Sequence, residues 1–317
     1  MKDNFKNIPI ALSAISLGFM GLGTAFAGFN ILWVRHIAVL FSVICLGLIF
    51  LKYVMHPKVV LEEIKHPVLG SVYPTVCMTL MVIAVYFNDF NHMIGKGTWV
   101  FAIALHFIIS IFFFKEMFKE FKLDKMIPGW FIPSVGIGVG AVTSGPMNMP
   151  LLSDIVFYYA LAMFVIITPV MIYRLKKHSK LQGPARSTIM IFTAPASVCL
   201  AGCLATSSME NQILVSILAI LTYISIIYSY ALLPQLIREK SLPHLAPLTF
   251  PLSIGVIASQ RYVKYLGNKN SNLQGICEIL LYFQCVVATL VIAYVVIKAV
   301  CLLFSKFNKV DDKGLSI

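Results

Sequence analysis

Charge is scarce in this chain. Only 12% of its 317 residues are Asp, Glu, Lys or Arg, and just 13 are acidic. An ordinary soluble domain carries about twice that charged share, so a solvated globule is excluded. Segments beginning at Pro9, Pro74, Pro133, Pro195 and Pro251 hold no Asp, Glu, Lys, Arg or His in their central parts. Proton-coupled carriers usually place a carboxylate or histidine within the membrane, and cation pores a ring of carboxylates. Neither device is available in these segments. The cysteines Cys45, Cys77, Cys199, Cys203, Cys277, Cys285 and Cys301 all lie in or beside apolar runs. Cys199 and Cys203 have helical spacing, but no His or carboxylate stands close by in sequence to complete a metal site. They are read as small buried apolar residues, with no disulfide framework, metal or cofactor implied. The GIGVG run at 136–140 lies inside an apolar segment with no strand before it, which rejects a nucleotide loop. No nucleophile–base arrangement suggests catalysis, so an enzyme is not expected.

Apolar surface is what the chain has in abundance. Hydrophobic residues make up 59% of it, in runs long enough to cross a bilayer. Backbone groups in hydrocarbon must be paired internally, and these continuous runs lack the alternation of a barrel. The expected class is therefore an all-α integral membrane protein, one transmembrane domain over 1–317. Ten spans are expected, at 9–26, 37–54, 68–87, 99–118, 126–143, 151–173, 187–205, 213–237, 245–262 and 276–304. The first is kept as a span because no polar cleavage region follows it. Basic residues gather after even-numbered spans, as at Lys115, Lys119, Lys122 and Lys125, and at Arg174, Lys176, Lys177, Lys180 and Arg186. The positive-inside rule then puts both termini on the cytoplasmic side of the cell (inner) membrane. The same loops explain the net charge of +12 as topology signals facing anionic lipid, with no nucleic-acid partner.

The five prolines recur at intervals of roughly 55 to 65 residues, the mark of an internal repeat. Each begins a segment rich in small residues and is followed by one rich in Ile, Leu, Val and Phe. This reads as five helical hairpins in a quasi-fivefold arrangement, odd spans inside around a central pore and even spans facing lipid. Proline within a helix removes one N–H and frees a carbonyl, so helix kinks are expected at Pro9, Pro74, Pro133, Pro195 and Pro251. Beside them stand Ser13, Thr75, Ser134, Ser197 and Ser253 as candidate pore-lining residues. Two readings of these hydroxyls stay open. They donate to a passing anion, or each satisfies a carbonyl of its own helix. A neutral lumen with a basic mouth suits small inorganic or organic anions.

The strings HPVLGSVYPT, PGWFIPSVGIGVGAVTS, TAPASVCLAG and PLTFPLSIGVIAS resemble the tellurite-resistance and dicarboxylate transporter family, which includes plant slow anion channels. The likeness covers essentially the whole chain. It implies a homotrimer with one pore per protomer, and a gate formed by a phenylalanine of the ninth helix, here Phe250. The expected function is an anion channel or uniporter for chloride- or nitrate-like ions. A secondary transporter of C4-dicarboxylates or tellurite-type oxyanions is the first alternative, and a non-conducting membrane scaffold or sensor the second.

Four other polar residues stand out. His106 falls in the fourth span, where a neutral ring bonded to a neighbouring helix or protomer is expected. Asp154, Arg261 and Glu278 lie near span ends on the outer side, settling topology or lining the outer entrance.

Overall fold

A computed structural model describes residues 5–178, 180–239 and 241–314, with side chains to residue 305. Its regular structure is helical, with no strand among the described residues. Eight helices are long and apolar enough to cross a membrane. They are Leu32–Met55, Pro67–Asn88, His92–Lys119, Pro150–Lys177, Pro184–Cys203, Gln212–Leu236, Leu242–Asn268 and Gln274–Ser305. Two shorter apolar helices, Ala11–Ala27 and Pro128–Val142, stand where the first and fifth spans were expected. Ala11–Ala27 rises only about 26 Å at 1.5 Å per residue, short of the ~30 Å hydrocarbon core. In the second, the glycine run divides the segment into Phe131–Val135, a 3-10 turn at Gly136–Gly138, and Val139–Val142.

The five prolines do not act alike. Pro9 precedes the first helix, so no kink forms there. Pro74 separates Pro67–Val72 from Thr75–Asn88. Pro133 lies in the five-residue helix Phe131–Val135, and Pro195 in the first turn of Ala194–Cys203 after a 3-10 stretch. First-turn positions need no N–H donor, which makes proline a helix starter there. Pro251 alone of the five lies inside a long unbroken helix, Leu242–Asn268.

Burial separates two sets of helices. In the apolar core of Pro67–Asn88, Pro184–Cys203 and Leu242–Asn268, 67%, 83% and 78% of residues are buried. The other five long helices bury only 28–33%. Large exposed apolar side chains, such as Leu40, Phe101, Val165, Ile220 and Ile279, belong to that second set. The segments at 11–27, 75–88, 131–142, 194–203 and 242–268 carry none among the described residues. Small side chains explain why those segments can bury so completely. A methyl built on Gly18 would fall 2.3 Å from Thr249 Cβ, and one on Gly21 would fall 2.4 Å from Ser253 Oγ. Here two backbones approach more closely than any larger residue allows.

The buried segments touch in a closed cycle. Ala11–Ala27 packs on Thr75–Asn88, which meets Val139–Val142. That helix meets Ala194–Cys203, which packs on Leu242–Asn268, and Leu242–Asn268 returns to Ala11–Ala27.

Candidate functional site

Within this cycle lies a cavity of about 670 Å³, walled by all five inner segments. Its open end carries the exposed residues Lys6, His66 and Gln182. Deeper, the wall runs as far as Leu17, Met78, Gly136, Val198 and Pro251, one from each segment. Phe250 lies on the wall at this deep limit and is only part-buried. Apart from the open end, no charged side chain lines the cavity. The inner helices begin at that open end, so the positive ends of their dipoles face an ion entering there.

The five candidate hydroxyls are all buried, but they divide. Thr75 lies on the cavity wall, whereas Ser13, Ser134, Ser197 and Ser253 do not. Ser134 Oγ donates to Trp130 O at 2.7 Å and Ser253 Oγ to Phe250 O at 3.1 Å. Ser197 Oγ has no hydrogen-bond partner among the described residues. Ser13 and Thr75 face each other at 2.7 Å, while also lying 2.7 Å from Ile10 O and Val72 O. Two hydroxyl protons thus serve three close contacts. A turn of either proton toward the other hydroxyl releases one helix carbonyl. Pro9, Pro195 and Pro251 also reach the wall, and Pro74 and Pro133 do not.

The mouth holds a charge pair that the sequence did not reveal. Lys52 is 1% exposed. Its ammonium donates to Glu63 Oε1 at 2.7 Å, Glu63 Oε2 at 2.8 Å and Ile8 O at 2.8 Å. Tyr73 OH donates to Glu63 Oε2 at 2.5 Å, and its ring stacks on Tyr53 with centroids 5.8 Å apart. Lys52 and Glu63 both line the cavity. All three ammonium donors are therefore used, as a buried charge requires. In the sequence Lys52 is one of several basic residues near the end of an apolar run. The short amphipathic helix Pro57–Lys65, which brings Glu63 back over it, is a tertiary fact with only a weak sequence signal.

At the opposite end of the inner segments, Arg261 joins three of them. Its Nη1 donates to Ala201 O at 2.6 Å and its Nη2 to Val142 O at 2.7 Å. Those carbonyls belong to the last turns of Ala194–Cys203 and Val139–Val142, where a cation also offsets the negative end of the dipole. Asp154 accepts from Ser207 Oγ at 2.9 Å, and Glu278 from Tyr282 OH at 3.2 Å. His106 is fully buried, with Nδ1 3.3 Å from Ser110 Oγ on its own helix. Its Nε2 edge faces Gly136, where an added methyl would come within 3.3 Å. His106 therefore backs the cavity wall, and no group of three or more His, Cys, Asp or Glu fit to hold a metal occurs among the described residues.

The family described as voltage-dependent anion channel, SLAC1, matches residues 7–300, and the chain belongs to it. The proline-bearing strings that carry the likeness all lie within the matched residues. Two proteins of Methanocaldococcus jannaschii, each described as an uncharacterized transporter, are also similar. One is 32% identical over 189 residues, 55% of this chain and 54% of its own length. The other is 29% identical over 177 residues, 51% of this chain and 50% of its own. The matched stretches thus span about half the length of these curated relatives. Membership of a channel family and likeness to transporters point to transport across a membrane, in a multi-pass setting, rather than to an enzyme.

Proposed function

We propose that this member of the family passes small monovalent anions, chloride- or nitrate-like, by passive flow through the cavity described above. The observation that carries this reading is the distribution of charge in the cavity. Charged side chains are confined to one open end, and the wall beyond is neutral to the level of Phe250. Basic residues at the mouth raise the local anion concentration, and a neutral interior binds weakly enough for release. Phe250 is the gate in this reading. Its benzyl ring fills a narrow neutral lumen, and a change of rotamer opens it. Thr75 is the hydroxyl that meets the ion, with Ser13 as its support.

The proposal extends to the whole assembly. The chain forms a single transmembrane domain of ten spans in five hairpins, with both termini on the cytoplasmic side of the cell membrane. Three copies associate, each with its own pore. The closed cycle of inner-segment contacts and the lipid-facing texture of the other helices support the hairpin arrangement.

Anion-substitution flux in proteoliposomes tests the reading. Passive, non-saturating flux ordered by ease of dehydration is expected. Saturable, proton-dependent uptake of a C4-dicarboxylate or tellurite-type oxyanion would replace the channel by a carrier. Sealed vesicles with no flux, even after Phe250→Ala, would leave a scaffold or sensor.

A further inference from the structure

A second cavity, of about 890 Å³, opens on the basic face beside the mouth of the first. Its lining includes Arg174, Lys176, Lys180 and Arg186, against the single carboxylate of Glu239. Lys176, Lys180 and Arg186 are exposed. Arg174 is buried, and its Nη2 donates to Asp124 O at 3.0 Å, so it fixes the base of the groove. Ile172, Ile189, Phe192 and the Tyr228 ring give the wall an apolar part, and Gln182 and His244 add neutral polar side chains.

Depth separates the two kinds of lining. Lys176 belongs to the last turn of Pro150–Lys177, at the level of the membrane interface. Tyr228 lies eight residues before the end of Gln212–Leu236, about 12 Å back along that helix at 1.5 Å per residue. Ile172 and Tyr228 are 39% and 42% exposed on lipid-facing helices. The groove is therefore cationic at headgroup level and apolar above it. A soluble phosphate has no use for the apolar part, whereas a phospholipid fits both.

A thin partition divides this groove from the vestibule. Gln182 lines both cavities. Pro184, Ala185 and Thr188 face the vestibule, while Gly183 and Arg186 face the groove. The turn between them depends on Gly183, whose φ of +54° lies in the left-handed region that favours glycine.

We propose that this groove binds one anionic phospholipid, its phosphate held by Lys176, Lys180 and Arg186 and an acyl chain laid along Ile172, Phe192 and Tyr228. Basic pockets between helices at the membrane face recognise such headgroups. Bound lipid then braces residues 182–188, the wall shared with the vestibule. The inference rests on the membrane setting of the chain and is independent of anion conduction.

Native mass spectrometry of the full-length protein, released from detergent with phosphatidylglycerol or phosphatidylcholine, tests it. The wild type is expected to retain phosphatidylglycerol and not phosphatidylcholine. The Lys180→Gln/Arg186→Gln variant should retain phosphatidylglycerol roughly tenfold to thirtyfold less well, from about 1 kcal/mol per basic residue. Both side chains are exposed, so the variant folds. Lys115→Gln, an exposed lysine outside the groove, should change nothing. Equal retention by wild type and the double variant overturns the proposal, as does an equal loss in Lys115→Gln. Displacement of the lipid by inorganic phosphate at the same concentration would also overturn it, by showing a phosphate site without a lipid-specific wall.

Discussion

Lys52, buried, and Glu63, part-exposed, pair at the mouth of the cavity, with the ammonium 2.7 and 2.8 Å from the two carboxylate oxygens. Each charge makes the other tolerable. Glu63→Gln removes the countercharge of the buried ammonium, at about 3–5 kcal/mol, whereas Lys52→Met leaves a part-exposed carboxylate that the Tyr73 hydroxyl and water still serve, so it costs less. Each single variant should melt lower in detergent, and a double variant with apolar residues at both positions should recover most of the loss. Their effects on flux should differ in sign. Lys52→Met leaves Glu63 to cancel Lys6, a mouth without net charge, and slows anion flux, while Glu63→Gln raises the net positive charge there and speeds it. Flux falling equally in both would reduce the pair to a purely structural clamp.

The contact of Gly18 with Thr249 sets how tightly the first inner helix closes on Leu242–Asn268. Gly18→Ala would put a methyl 2.8 Å from the Thr249 backbone carbonyl carbon. Backbone cannot swing aside as a side-chain tip can, and overpacking of this kind costs about 1–3 kcal/mol. Gly47→Ala is the matched control, with nothing within 4 Å of the new methyl. A fall in melting temperature for the first and none for the second is expected. Equal behaviour would mean that the helices separate without cost.

Arg261 holds the far ends of two inner segments through Ala201 O and Val142 O. Arg261→Leu leaves both acceptors unmatched, at about 1–3 kcal/mol each where water cannot reach. Arg261→Lys keeps the charge but loses the planar fork, so it should recover less than half of the loss. Thermal unfolding of the two variants checks this. Full stability in Arg261→Leu would show that water already serves those carbonyls.

Much of the architecture was legible in the sequence because it is written in solvent preference. Long apolar runs, basic loops and the contrast between small and bulky segments are local properties, and burial follows them closely. The hydroxyls were harder. Ser13 and Thr75 sit beside prolines in equivalent strings, yet only Thr75 reaches the cavity wall. A helix turns about 100° per residue, so small differences in register decide which side chain faces inward. Pro9 resembles the other prolines in its sequence setting, but Ala11–Ala27 starts after it. Glu63 and the carbonyl partners of Arg261 depend on contacts across the fold, between residues 11, 60 and 119 positions apart. Nothing in the spacing of one chain announces such pairs.

The most direct test concerns the ring at the end of the neutral wall. Anion current through planar bilayers, compared between the wild type and Phe250→Ala under symmetrical chloride, reads the gate by itself. A several-fold larger, anion-selective current in the variant is expected. An unchanged current, or one carried by cations, would contradict both the gate and the neutral anion path it closes.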